Sequence, residues 1–354
     1  LQSTESCQSK DHYAHFMLKE IHEQPANWQN IITQQINNNN KQLPKKPKNV
    51  HIVGCGSSFH SALTAQYWLE SIAHCPTKVY IASEYNLHTI AVPEDCILIL
   101  PSQSGETADT LIALKKAKKL NYKSIITLCN VKHSSLAQQT DQLLHLNCGP
   151  EIGVASTKAF TAQLWLFYAL ANFWGPNKPV DISRLHTAAT GALNLKPQLE
   201  KLGQILAKHT NIIFIGHGLG YPTSLEAALK LKEISYIHSH AYPAGELKHG
   251  PLALVDENLP VIASIMTQEN LKKNLNYLEE VQARSGKLII FHQGQQDIVN
   301  DFSKQILIEL PKCDPQIAPM LFSIAYQLTA YYTAKALNRE IDQPRNLAKS
   351  VTVE

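Results

Sequence analysis

One pattern runs through this chain twice. Val50-His51-Ile52-Val53 leads into Gly54-Cys55-Gly56 and then a stretch of helical spacing, and Ile212-Ile213-Phe214-Ile215 leads into Gly216-His217-Gly218 and another. Ile97 to Lys119 likewise has a counterpart in Val261 to Ala283. An internal duplication accounts for both pairs. Within the first copy, apolar runs at Val50 to Val53, Val79 to Ala82, Ile97 to Leu100, Ser124 to Leu128 and Gln142 to Leu146 alternate with longer amphipathic stretches. Strands separated by helix-length segments pair in parallel, because a parallel crossover needs room for a helix. The expectation is an α/β chain with two doubly wound parallel sheets. With 354 residues, 44% of them hydrophobic, it can fill two cores of ordinary size.

The boundaries follow from breaks in the pattern. Tyr13 to Ile36 has helical spacing and gives way to Asn37-Asn38-Asn39-Asn40 and Pro44-Lys45-Lys46-Pro47, so residues 1–45 read as a helical arm and linker. The first domain is expected over 46–178, closing at Trp174-Gly175-Pro176-Asn177-Lys178-Pro179. The second is expected over 179–341, entered through a helix-like stretch from Ile182 to Lys208, with a tail at 342–354. Ala159 to Trp174 is the most apolar long segment, but Thr161, Gln163 and Asn172 interrupt it and it falls short of the ~20 residues that span a bilayer. It reads as a buried helix, and no membrane partner is expected.

A net charge of +3 with 17% charged residues gives no broad basic field, which argues against nucleic acid and for small anions at most. Seven cysteines without CxxC spacing read as reduced core residues of a cytoplasmic protein. His238-Ser239-His240 is the tightest histidine cluster, yet no cysteine or HExxH pattern completes a site, so no metal is expected. No signal peptide is visible and the first residue is leucine, as in a piece of something longer.

Ser102-Gln103-Ser104-Gly105-Glu106-Thr107 follows an apolar strand and opens a helix. Such a turn gathers backbone N–H groups, hydroxyls and the positive helix end at one spot, a phosphate cradle without a P-loop lysine. The plainer alternative is that Ser102, Ser104 and Thr107 only cap the helix. Both Gly-x-Gly turns lack the third glycine of a dinucleotide fingerprint, since Phe59 and Tyr221 stand there. Ligands of open α/β sheets sit beyond the carboxyl ends of the strands, so Ser57 and Ser58 should share a crevice with the 102–107 turn.

In the second half, Glu226, Lys230 and Glu233 recur on one face of a leucine-rich helix. That is either a solvated salt-bridge ladder or a general base beside a lysine. His249 ends a loop bounded by glycine and proline, and is either an acid–base group or simply exposed. Lys349 in the tail is a reactive amine or a terminal charge, disorder being the usual fate of such tails. Glu151-Ile152-Gly153-Val154-Ala155-Ser156-Thr157-Lys158 precedes the Ala159 helix, and Ser156 and Thr157 either cap it or line the crevice.

Taken together, Gly54-Cys55-Gly56-Ser57-Ser58, SQSGET at 102–107, EIGVASTKAFT at 151–161, LKLKEISYIH at 229–238, AGELKHGPLAL at 244–254 and DQPRNLAKSVTVE at 342–354 resemble the isomerase portion of the glucosamine-6-phosphate synthase family. The leading HFMLKEIHEQP at 15–25 resembles the segment that enters that portion. The resemblance implies two sugar isomerase (SIS) domains of flavodoxin-like topology, in a homodimer without cofactor. The family is an isomerizing aminotransferase that makes glucosamine 6-phosphate from fructose 6-phosphate and ammonia. By position it implies that Ser58, Ser102, Gln103, Ser104 and Thr107 hold the phosphate and that Val154, Ser156 and Ala348 contact the sugar. It further implies that His249 assists ring opening in the partner subunit's site, that Lys349 forms an imine with the open ketose, that Glu233 moves the proton between C1 and C2, and that Lys230 assists near the hydroxyls.

The departures are few. Ser57 and Ala227 replace a commoner threonine and glycine. Family members carry a glutaminase domain with a cysteine nucleophile, for which Cys7 lacks the setting. Ammonia-dependent synthesis or plain ketose–aldose isomerisation is therefore expected here, and glutamine-dependent synthesis only with that domain. A catabolic sugar-phosphate isomerase or deaminase, and a non-catalytic sugar-phosphate sensor, are the rival readings.

Overall fold

The computed structural model describes residues 9–32, 43–176, 185–269 and 271–351. Cys7, the Asn37 to Asn40 connector, the residues after Pro176 as far as Arg184, and the last three of the tail lie outside them.

The arm is two helices, α1 (Phe16–His22) and α2 (Gln24–Ile32). Pro25 sets the break: it has no N–H to give and its ring would clash with the carbonyl of Ile21, so a new helix starts around it. The arm is no loose appendage. Met17, Ile21, Trp28 and Ile31 are buried in the main core.

The first domain runs β1 (Asn49–Gly54), α3 (Gly56–Ser71), β2 (Thr77–Ile81), α4 (Ala82–Leu87), β3 (Cys96–Ser102), α5 (Ala108–Ala117), β4 (Ser124–Cys129), α6 (Ser135–Gln139), β5 (Gln142–His145) and α7 (Lys158–Trp174). Two helices, α8 (Leu185–Leu193) and α9 (Lys196–Leu206), lead into the second. It continues β6 (Asn211–Gly216), α10 (Gly220–Ser235), β7 (His238–Pro243), β8 (Pro260–Ile265), α11 (Leu271–Gln282), β9 (Lys287–His292), α12 (Gln296–Asp301), β10 (Ile306–Glu309) and α13 (Ala318–Ala336).

The sheets are ordered β2-β1-β3-β4-β5 and β7-β6-β8-β9-β10, and the strands of both pair in parallel. Both have the flavodoxin-like order, so the duplication legible in the sequence is a duplication of topology. The order reverses between β1 and β3, which opens a crevice where the 54–56 and 102–107 turns emerge.

The joint between the halves is apolar and helical. Every residue of α13 from Ala318 to Ala334 is buried, and nearly all of α7 is. A helix apolar all round belongs inside. The hydroxyls of Ser323, Thr329 and Thr333 bond the carbonyls of Pro319, Ala325 and Thr329 one turn back, so burial leaves them satisfied. One hydrophobic cluster links α3 and α7 to α10 and α13 without interruption. Through it α10 packs on α3, which brings Glu226, Lys230 and Glu233 of the second half to the crevice of the first.

Candidate active site

The 102–107 turn is built as a cradle. Ser102 Oγ accepts the Gly105 N–H at 2.9 Å and Ser104 Oγ accepts the Glu106 N–H at 3.2 Å, so both hydroxyls keep their protons for a ligand. Gly105 has φ +71°, and a Cβ there would meet Ser134 Oγ at 2.1 Å. Only glycine closes this turn. Thr107 occupies the N-cap position of α5 but makes no side-chain cap bond. The capping alternative thus fails for all three hydroxyls. Gln103 stands half-buried in the turn, its carbonyl accepting the Asn130 N–H. Ser58, in the first turn of α3, accepts from Gln163 Nε2 at 3.0 Å.

The charged face of α10 is turned inward, with Glu226 and Lys230 buried and Glu233 half-buried, which rules out a solvated ladder. Lys230 Nζ lies 2.6 Å from Glu233 Oε2 and 3.4 Å from Glu226 Oε1, with the lysine 1% exposed. Glu226 is further held by Ser57 Oγ at 2.8 Å and His60 Nδ1 at 2.7 Å, both from α3. The electrostatics split the two acids. Burial would raise the Glu226 pKa, but Lys230, His60 and Ser57 together hold it below the usual value. Glu233 touches Lys230 alone, with a weaker contribution from the more distant His60, and burial together with the Glu226 charge keeps its pKa above the usual value. Lys230 is kept firmly protonated, since the Glu233 and Glu226 charges outweigh the cost of burial. The result is a fixed cation beside a carboxylate of increased basicity.

The described part of the tail, residues 342–351, is tied to the body of the protein. Asp342 C=O accepts the Val154 N–H, Tyr236 Oη accepts the Arg345 N–H, and Val351 C=O accepts the Ala108 N–H at the start of α5. The Arg345 guanidinium lies 4.3 Å from the Tyr236 ring centre. Between these anchors Lys349 Nζ contacts Glu151 Oε2 at 2.6 Å and the Gly153 carbonyl at 2.8 Å. Val154, Ser156 and Ala348 surround this contact along the two chain segments, the first two half-buried and Ala348 exposed.

Glu151 was not legible as a site residue. Its side chain is wholly enclosed, and its Oε1 accepts the Thr157 and Ala159 N–H groups at the start of α7. It therefore caps α7, one of the two roles left open for Ser156 and Thr157. Its pKa is lowered although burial pushes the other way, because Lys349 and those N–H groups favour the anion. The signal available was an acid placed just ahead of a helix start; its partner 198 residues away was beyond any local pattern. His60 was missed for the same reason.

One residue is not brought in. His249 ends a 3₁₀ turn (Ala244–His249), is exposed, and its side chain makes no hydrogen bond or ion pair among the described residues. Gly250 after it has φ +145°, a conformation open to glycine.

The model of the SIS domain matches residues 45–173 and again 205–336. The chain belongs to the SIS domain family. Within that family its likeness is to one branch. It is 44% identical, over its full length, to the glutamine–fructose-6-phosphate aminotransferase [isomerizing] of Legionella pneumophila, strain Lens, and 43% identical over 98% of its length to that of Pseudomonas putida. The chain spans about 61% of the length of the first of these and 60% of the second. Among solved structures, the C-terminal domain of glucosamine-fructose-6-phosphate aminotransferase from Francisella tularensis superposes with a TM-score of 0.89 at 41% identity, covering 95% of this chain and 100% of that one. The chain is thus of the C-terminal isomerase type, with two SIS domains. Glucosamine-6-phosphate deaminase from Thermotoga maritima, at 24% identity and a TM-score of 0.75, shares the fold. Among the described residues, no helix is long and apolar enough to cross a membrane.

Proposed function

We propose that this chain binds fructose 6-phosphate and converts it, with ammonia, into glucosamine 6-phosphate and water. The tail carries this reading most directly: it places Lys349 on a strap anchored at Tyr236, three residues past Glu233, and at Ala108, directly behind the hydroxyl turn. Amine, base and cradle then act on one sugar.

The phosphate sits among Ser58, Ser102, Gln103, Ser104 and Thr107. Charge-assisted hydrogen bonds of about 1.5–3 kcal/mol each fix that end and position C1 and C2 for reaction. Val154, Ser156 and Ala348 line the sugar. Lys349 condenses with the C2 carbonyl of the open ketose, losing water, and ammonia then displaces the lysine to leave a C2 imine. Glu233 takes a C1 hydrogen as a proton while the imine nitrogen gains one, giving the enolamine, and then returns its proton to C2 as O1 loses one and C1 becomes the aldehyde. The proton lost at O1 balances the one gained at nitrogen, and the C2 imine becomes the amine. Lys230 offsets the negative charge that develops at O1. Without ammonia, the same proton transfer yields glucose 6-phosphate.

His249 opens the sugar ring, and its exposed position suits a group that works in a partner subunit's site, in a homodimer. Glutamine as the amino donor calls for a glutaminase domain in the longer protein. The six described cysteines are free, which suits the reducing cytoplasm.

The test is direct. Purified chain given fructose 6-phosphate and ammonium should release glucosamine 6-phosphate, and borohydride should trap a sugar-phosphate adduct on Lys349 that Lys349→Arg lacks. Absence of both product and adduct would overturn the proposal.

A further inference from the structure

The arm carries a buried acid for which the chemistry above has no use. Glu20 on α1 is 2% exposed, and its Oε1 accepts two backbone N–H groups, from Ile152 at 2.5 Å and from Gly153 at 3.2 Å. Its Oε2 is buried with no partner. These are the residues that receive Lys349: Gly153 through its carbonyl, and Glu151, next to Ile152, through its carboxylate.

Several features make this a fixed support. Met17 and Ile21 beside Glu20 are fully buried, so α1 cannot shift without opening the core. The Asp342 carboxylate accepts the Phe16 and Met17 N–H groups at the start of α1. The tail thereby holds the arm, the arm holds the 151–153 loop, and the loop holds Lys349 of the same tail. A Cβ at Gly153 would come within 3.0 Å of Glu20 Oε2, so glycine is what lets the loop come this close.

We propose that Glu20 is a positioning residue of this site: its carboxyl fastens the 151–153 loop through the Ile152 and Gly153 N–H groups, and so fixes the two groups that hold Lys349. The assignment rests on Lys349 as the imine-forming amine for its bearing on catalysis, while the fastening itself can be measured without substrate. The charges facing Glu20 are Glu151, Lys349 and Lys158, the last paired with Glu23. Burial, followed by the Glu151 charge, pushes the Glu20 pKa up to about 8. At neutral pH Glu20 is therefore uncharged, which is what an unpartnered buried oxygen requires. A neutral carboxyl offers the loop one carbonyl-type acceptor, and a glutamine offers the same.

The experiment compares wild type, Glu20→Gln and Glu20→Ala by amide hydrogen exchange without substrate and by isomerase kinetics with fructose 6-phosphate. At pH 7, Glu20→Ala should speed exchange at Ile152 and Gly153 by about 10-fold or more, the loss of two buried hydrogen bonds, with core strands unchanged as the folding control. It should lower kcat about 10-fold while leaving KM nearly alone, because the phosphate is anchored elsewhere. Glu20→Gln should restore both. Unchanged exchange in Glu20→Ala, or a Glu20→Gln as impaired as the alanine, would overturn the assignment.

Should the alanine variant not fold, wild type and Glu20→Gln decide between them. Burial and then the Glu151 charge raise the Glu20 pKa, and both are relieved when arm and loop part. Wild-type exchange at the two amides, corrected for intrinsic rate, should therefore rise from the ordinary carboxylate range up to about pH 8 and then level off, and that of Glu20→Gln should not. Superimposable profiles would overturn it. If wild type turns over no sugar, the functional proposal fails while the exchange data still judge Glu20.

Discussion

Glu226 and Glu233 sit two turns apart on α10 and share Lys230, yet their pKa values are driven in opposite directions. The difference is the number of partners. Glu226 touches three that favour its anion, and it serves to hold Lys230 against α3; Glu233 touches one, with His60 acting from further away, and keeps the basicity that the proposed proton abstraction needs. Glu233→Gln should therefore slow exchange of the C1 hydrogen of fructose 6-phosphate by at least about 100-fold, with phosphate binding retained. Undiminished exchange would remove Glu233 as the base. The same residue sets the pH profile. Because its pKa is raised, the acidic limb of kcat/KM should lie above the ordinary carboxylate range, activity being lost as pH falls through that value. The Glu226 charge contributes to the rise, so Glu226→Gln should move the limb to lower pH; a limb that stays in place would count against the coupling.

At the level of elements, close approach does much of the positioning. Gly203 on α9 faces α13 so tightly that a Cβ would meet Thr333 N and Tyr332 C at 2.7 Å. Gly203→Ala must push two backbones apart, costing about 1–3 kcal/mol, and should lower the urea midpoint with little change in slope; an unchanged midpoint would mean that the helices separate freely. The strands of the first half, β6 and β8 of the second, and the α5, α7 and α10 helices were legible in the sequence because each depends on local periodicity, and the 102–107 turn because strand, glycine and hydroxyls adjoin; β7, β9 and β10 were not read. The arm's break at Pro25 was there to be read as well. What could not be read depends on pairs far apart in the chain: Glu151 with Lys349, Glu20 with Gly153, His60 with Glu226. The tail is the clearest case. Its composition matches a frayed terminus, and backbone bonds to Val154, Ala108 and Tyr236, with the Lys349 contact to Glu151, make it part of the site.

At the scale of the molecule, the two SIS domains share one apolar core, so neither half completes the site alone. Cradle and Glu151 come from the first half, Lys230 and Glu233 from the second, and Lys349 from beyond both. His249 stands outside this arrangement, exposed and unbonded, and the proposal that it serves a partner's site has a consequence that no single-chain role shares. Mix two inactive variants, His249→Ala and Lys349→Arg, and let subunits exchange. Half of the dimers are then hybrids. In each hybrid one site combines the intact Lys349 of one subunit with the intact His249 of the other, and the second site has neither. Activity should thus recover to roughly a quarter of wild type, the share expected for random pairing of a two-fold dimer. If His249 acted within its own chain, every site in the mixture would lack one group, and activity would stay at the sum of the separate variants.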